Sequence, residues 1–417
     1  MTYIKRIVEE ELADKLSASG AVLVKGPKSC GKTETSKQFA KSMLAMDRDT
    51  QVPIVMATNP NLLLVGATPR LVDEWQEHPE IWNYIRHEVD ERKEKGQFIL
   101  TGSANPNDNV RLHSGAGRFT IVEMDTMTWQ ELGFSDGAFS LADLLKGKKT
   151  DASHNSVPLE FIIERLVIGG FPTLLNANIK DAQKINNGYV DLLCEVDMSR
   201  VGGIKRDPFK VRALLRSLAR NTATVVDNKT LELDMKISDN NEVSRNTITD
   251  YLDALKRLMI LYEQPAFSPH IRSVATLRKS SKRHLCDPSL SVAVLGLDAE
   301  ALLNDLKYTS FLFESLAVHE LNVYAKANDA TVFHYQDSYG LEVDAIVQKR
   351  NGDYAAFEIK LGVGFIEEAA ANLNKFVANI DTSKMKLPKS LNIITGTGMS
   401  YCRPDGINVI SLVALGK

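Results

Sequence analysis

The stretch Gly26-Pro27-Lys28-Ser29-Cys30-Gly31-Lys32-Thr33 has the residue types and spacing of a phosphate-binding loop. Gly26 and Gly31 let the backbone turn until successive N–H groups point inward at phosphate oxygens. Lys32 adds a mobile positive charge for the β- and γ-phosphates, and the Thr33 hydroxyl can complete the coordination of Mg2+. With Glu34, these residues form the expected nucleotide-binding set, and ATP with Mg2+ is the expected cofactor. A glycine-rich turn with an incidental lysine is the plainer alternative. It is disfavoured because strand, loop, Gly-Lys-Thr and helix follow in that order.

Hydrolysis requires more than binding. "PRLVDEWQ" places Asp73 after a short apolar run, where it would hold Mg2+ through water. Glu74 follows directly and would polarise the attacking water as catalytic base. Pro69 weakens the strand reading. An acidic pair opening a helix, where carboxylates are favoured, is the alternative.

A second set lies far along the chain. Glu314 falls on an apolar helix face, with Phe311, Ala317 and Val318 around it, and a carboxylate there needs a partner. Asp344 lies on the first strand of a hairpin, and Glu358 and Lys360 share one face of the second. Helix acid, strand aspartate and Glu-x-Lys are the parts of a PD-(D/E)xK nuclease site. There the carboxylates chelate Mg2+ or Mn2+ to activate water, and the lysine orients the nucleophile or shields developing charge. The alternative is a fold that keeps these residues while serving only for binding. His319-Glu320 does not begin a zinc-protease helix, because residue 323 is Val.

The elements that must position these groups follow from the pattern. Ala21 to Val24 reads as a strand, and from Thr33 an amphipathic helix is expected with Phe39, Met43 and Leu44 on its apolar side. Phe98 to Leu100 reads as another strand. Leu145 to Pro158 is polar and punctuated, a linker. "LEFIIERLVI" is a helix stopped by Gly169 and Gly170. Ser244 is the expected N-cap of a helix whose Ile248, Tyr251, Leu252, Leu255 and Leu258 form one stripe. Arg245, Asn246 and Thr249 lie off that stripe, where a recognition helix meets base edges. A strand and turn follow, which suggests a winged helix. Arg272, Arg278, Lys279, Lys282 and Arg283 then supply candidate phosphate contacts from the wing, or simply a solvated basic face.

"GPKSCGKTETS", "PRLVDEWQ", "FILTGSA" and "HSGAGRF", with "GGFPTLL" further on, resemble a widespread prokaryotic AAA-type (AAA+) ATPase family. Its members join such a core to a C-terminal domain of unassigned function, and the resemblance covers nearly the whole chain. In AAA+ proteins a polar residue at the tip of the "FILTGS" strand touches the γ-phosphate or attacking water. Thr101 and Ser103 both qualify, with Ser103 preferred, while a simple turn is the alternative. Arg118, at the entrance to a further strand, has the place of an arginine finger acting in trans within a homo-oligomer. Otherwise it is a solvated surface arginine. The resemblance also implies the nuclease-like fold at the C-terminus.

The expected fold class is α/β: a P-loop AAA+ (RecA-like) parallel-sheet core over 1–150, a helical lid or linker over 151–205, a winged helix over 206–290 and a small α/β nuclease-like domain over 291–417. The expected function is ATP hydrolysis that drives or gates a DNA-directed C-terminal module. The alternative is a non-nucleolytic ATP-dependent switch that binds a protein or nucleic-acid partner. A small-molecule kinase fits less well, given Asp73-Glu74 and no recognisable acceptor lid. A net charge of −3 gives no global case for nucleic acid, so DNA would have to meet a local patch. Cys30, Cys194, Cys286 and Cys402 are scattered and suit a reducing cytoplasm. The charged opening "MTYIKRIVEEELADKL" shows no signal peptide, and no apolar run is long enough to span a bilayer, so no membrane is expected.

Overall fold

The computed structural model describes residues 3–102, 114–148, 155–239, 243–267 and 280–417. The chain divides into two compact units that interleave in sequence. One comprises Met1–Met127, Val196–Arg206 and Asp253–Ile260. The other comprises Thr128–Glu195, Asp207–Leu252 and Leu261–Lys417. Among the described residues no helix is long and apolar enough to cross a membrane.

In the first unit five strands, β1 (Ala21–Lys25), β2 (Ser42–Ala45), β3 (Arg70–Asp73), β4 (Phe98–Gly102) and β5 (Phe119–Glu123), form a sheet in the order β2-β3-β4-β1-β5. All its pairings are parallel. Its helices are α1 (Val8–Ala18), α2 (Lys32–Lys37), α3 (Val52–Thr58) and α4 (Ile81–Arg92). A parallel sheet covered on both faces needs apolar residues on both sides of each strand. Accordingly Val22 and Val24 enter one core cluster with Leu12, Ile99 and Val122, while Ala21 and Leu23 enter another with Trp82, Phe98 and Leu100. The segments following β1, β3 and β4 all leave from the carboxyl edge of the sheet, the edge at which open α/β sheets bind ligands.

The helix expected to carry Met43 and Leu44 is shorter than its apolar pattern suggested. α2 ends at Lys37, and both residues lie on β2. The cause is tertiary. Ser42 to Ala45 pair with Arg70 to Asp73, and the Lys41 amide donates to the Pro69 carbonyl. Pro69 thus flanks β3 and does not interrupt it.

The second unit contains β6 (Phe139–Ser140), α5 (Leu141–Leu144), α6 (Leu159–Ile168) and α7 (Ile179–Leu192), whereas α8 (Met198–Arg200) lies in a segment returned to the first unit. There follow α9 (Pro208–Arg220), β7 (Thr224–Val225), α10 (Asn228–Asp239), α11 (Arg245–Arg257), of which the part from Asp253 belongs to the first unit, β8 (Leu261–Gln264) and β9 (Lys282–Leu285). The three strands pair antiparallel in the order β7-β9-β8. Ser244 caps α11 by accepting the Thr247 amide at 3.2 Å, and the stripe from Ile248 to Leu258 is buried. Next come α12 (Pro288–Leu295), α13 (Ala299–Asn304) and α14 (Leu306–Lys326). α6 and α7, read from the sequence as a lid of the ATPase core, belong to this unit and pack on α12. α6 buries Ile162, Ile163, Leu166, Val167 and Ile168, too wide an apolar surface for one neighbour, and it also meets α13 and α14.

The remainder is a six-stranded mixed sheet of β10 (Ala330–Gln336), β11 (Glu342–Lys349), β12 (Tyr354–Lys360), β13 (Leu391–Thr395), β14 (Tyr401–Cys402) and β15 (Asn408–Ser411). Its order is β10-β11-β12-β13-β15-β14. α14 packs on β10, β11 and β12, while α15 (Ile366–Ala378) packs on β11, β12 and β13. β16 (Leu415–Gly416) runs parallel to β6.

Candidate functional site: a phosphate loop and a lysine-filled acid cluster

The loop between β1 and α2 is shaped by two different demands. Gly31 has φ 101°, so it needs glycine for its conformation, and Ser29 also takes a positive φ of 61°. Gly26 is required by proximity: a Cβ there would stand 2.1 Å from the Met124 carbonyl oxygen. The buried Lys32 ammonium donates to the Gly26 carbonyl at 3.0 Å and to Pro27 at 2.8 Å, which holds it against the loop. Arg6 braces the far side, donating to the Cys30 carbonyl at 2.7 Å and the Asp125 carbonyl at 2.9 Å. Burial pushes the Cys30 thiol up, so it packs as a neutral side chain.

Asp73, the last residue of β3, accepts the Thr33 hydroxyl at 2.8 Å and the Thr101 hydroxyl from β4. Of the two residues considered at the tip of β4, Thr101 is the one joined to Asp73, whereas Ser103 lies outside the described residues. Hydroxyl and carboxylate oxygens beside a held lysine are the hard donors that a magnesium nucleotide takes, so the residues present fit that cofactor. Glu74 turns off the strand with φ 52° and accepts the Gln76 side-chain amide. Glu34 pairs with Lys37 on an exposed face of α2. Arg118 precedes β5, at the opposite edge of the sheet from the loop, and pairs with Asp90 at 2.8 Å. It does not join the site of its own chain.

In the second unit Glu314, Asp344, Glu358 and Lys360 converge, all but Lys360 buried. The β11–β12 ladder ends at Ala345 opposite Phe357. Beyond that point the Asp344 carboxylate itself takes the Ile359 amide at 2.8 Å, as the strands part. Lys360 reaches Glu358 at 2.7 Å and Asp344 at 3.3 Å.

A residue assigned elsewhere by sequence completes the cluster. Lys282, expected as a phosphate contact on a basic wing, is buried on β9, 2.6 Å from Glu314 and 3.6 Å from Asp344. Its neighbour Arg283 is likewise turned inward, to Glu263, the Val226 carbonyl and Asn228. Arg272, Arg278 and Lys279 lie outside the described residues. Burial alone would lower the pKa of Lys282, but Glu314 and Asp344 outweigh it and hold the ammonium above its ordinary range. Burial likewise opposes the charge of Lys360, and Asp344 and Glu358 restore it. Burial pushes Glu314 up to about 7 and Glu358 up to about 8. Asp344 ends below its usual value: burial would raise it, but Lys282 and Lys360 draw it down. Asp344 is therefore the most readily ionised of the three carboxyls.

This arrangement does not fit the divalent metal expected at Glu314, Asp344 and Glu358. Lys360 belongs to the expected set, but the Lys282 ammonium stands between Glu314 and Asp344, and among the described residues no group of three or more His, Cys, Asp or Glu side chains is arranged to hold a metal ion. His284, two residues beyond Lys282 on β9, lies between Ser315 and Gln264, and burial beside Lys282 lowers it to about 3, so it is neutral. Glu320 has a structural task, its carboxylate taking the Trp129 amide at 3.0 and 3.1 Å and the Tyr324 hydroxyl at 2.6 Å.

Comparison with known proteins bears on the N-terminal domain. Residues 18–133 match an AAA domain, while 159–301 and 309–415 match two domains of unknown function (DUF8612 and DUF4143). Uncharacterized proteins of Mycobacterium bovis and Mycobacterium tuberculosis are each 24% identical over 366 residues, covering 86% of this chain and 74% of the relative. A Walker-type ATPase of Pyrococcus abyssi aligns in structure over 70% of this chain and 96% of its own, with a TM-score of 0.42 and 13% identity. The chain carries an N-terminal P-loop AAA-type ATPase domain, consistent with ATP hydrolysis.

Proposed function

We propose that the chain is an ATP-hydrolysing switch whose C-terminal module binds a partner without cutting it. Lys32 would hold the β- and γ-phosphates, Thr33 and Asp73 the Mg2+, and Glu74 would polarise the attacking water once it leaves Gln76. Arg118 would act only on a neighbouring copy. The observation that carries the non-cleaving half is the Lys282 ammonium lodged 2.6 Å from Glu314 and 3.6 Å from Asp344. A nuclease needs a metal at that position to activate water and to stabilise the phosphorane-like charge. Nucleic acid remains the first class of partner to try. The order α9-β7-α10-α11-β8-β9 is that of a winged helix, and Asn246 lies exposed near the start of α11. Against that reading, Arg245 is engaged with Glu232.

The test is a paired assay with Mg2+ or Mn2+, with and without ATP. ATP turnover is expected, reduced sharply in Glu74→Gln while nucleotide binding persists, and DNA and RNA should remain intact. Cleavage by the wild type that is lost in both Asp344→Ala and Lys360→Ala would overturn the switch in favour of a nuclease.

A further inference from the structure

The phosphate loop is held by a second carboxylate that the ATPase chemistry does not use. After α7 the chain widens into a π-helical turn, Leu193–Asp197, and returns to the first unit as Val196–Arg206. π-Turns inside helices recur at functional sites. Here the turn delivers Asp197, 8% exposed, to the Lys28 ammonium of the loop, with which it forms an ion pair. The returning strap is a closed buckle. The buried Arg206 guanidinium donates to the Met198 and Val201 carbonyls, at 2.7 Å each, and Gly202 and Gly203 take positive φ to make the turn. Lys28 adjoins Ser29, which takes a positive φ.

We propose that the Asp197–Lys28 pair is a nucleotide-sensing latch, an inference that rests on the loop binding ATP. A polyphosphate entering the loop competes with Asp197 for the Lys28 ammonium. Once Lys28, itself partly exposed, turns to the phosphates, the buried Asp197 carboxylate is left without its counter-charge, which disfavours its position. The strap then loosens around Asp197, and the signal passes along the chain into α7. Nucleotide affinity is lowered in the resting protein by the cost of opening the latch.

Hydrogen exchange of the full-length protein, with ATP affinity measured in parallel, tests this. In the wild type, Mg·ATP should raise amide exchange across Leu193–Arg206. In Asp197→Asn, nearly isosteric, ATP should bind severalfold more tightly and the ATP-dependent rise should vanish. Lys28→Gln should show the faster exchange without ATP. Thermal melting reports whether each variant is folded. If the wild type binds ATP and strap exchange does not change, the latch is wrong and the nucleotide site stands. Weaker ATP binding by a folded Asp197→Asn would make Asp197 a brace and overturn the latch. A wild type that binds no ATP would sink both readings.

Discussion

In the first unit Lys32 rests on two carbonyl oxygens and Asp73 on two hydroxyls. In the second, Lys282 and Lys360 rest on carboxylates, and Asp344 faces both ammoniums. Both places combine buried lysine and aspartate, yet their electrostatics differ in kind. Carbonyls and hydroxyls orient a charge without cancelling it, so the phosphate loop keeps a net attraction for phosphate and for a hard cation. Opposite full charges at short range cancel, and what they leave is cohesion between β9, α14, β11 and β12. Residue identity alone would rank the two sites as equals. The partners decide which is open to a ligand.

The contrast can be broken most severely at the two lysines. Lys32→Ala should reduce ATP turnover by about a hundredfold or more while leaving the melting temperature nearly unchanged, as phosphate release and calorimetry would show. Lys282→Met should do the reverse. Nucleotide binding should survive, but stability should fall by about 3–5 kcal/mol, because a buried carboxylate loses its partner. Denaturant unfolding measures this, and adding Glu314→Gln should recover much of the loss.

A smaller effect comes from pH. Unfolded, Glu314 and Glu358 titrate near 4.5; folded, they titrate near 7 and 8. Between these values the folded chain holds more protons than the unfolded one, so stability is fullest below about pH 4.5 for these groups and declines as pH rises to about 8. Each group contributes at most about 1.4 kcal/mol per pH unit across its window. Melting temperatures from pH 5 to 8 should therefore fall, and Glu358→Gln should flatten the slope; an unchanged slope would mean that Glu358 is ionised throughout. The smallest effect is expected at Arg245→Ala, which removes an exposed pair with Glu232 and should cost under about 1 kcal/mol. A large loss of nucleic-acid affinity in that variant would show that the exposed pair opens for a ligand.

How far the sequence reveals these sites depends on the range of the interactions. The phosphate loop is legible because its chemistry is packed into Gly26 to Thr33, and Asp73 because it ends an apolar run. Glu314, Asp344, Glu358 and Lys360 are legible because helix and strand periodicities place them. Lys282 is not, since its partners lie 32 and 62 residues away and nothing local distinguishes an inward lysine from a solvated one. Met43 and Leu44 mislead for a related reason: four residues satisfy either period, and pairing with β3 decides. Gly26 is recognised as essential but for the wrong cause, because the Met124 carbonyl that excludes a side chain is distant in sequence.

The interleaving of the two units has a consequence for how the protein is made. The sheet that carries the phosphate loop is complete once β5 has been synthesised, but its unit still lacks Val196–Arg206 and Asp253–Ile260. Domains usually fold in turn as they leave the ribosome. This one lacks the Asp197 partner of Lys28 until the strap has emerged, and its last segment until residue 260 has followed. An N-terminal fragment ending at residue 127 would therefore lack both later segments of its unit, the strap that meets Lys28 among them.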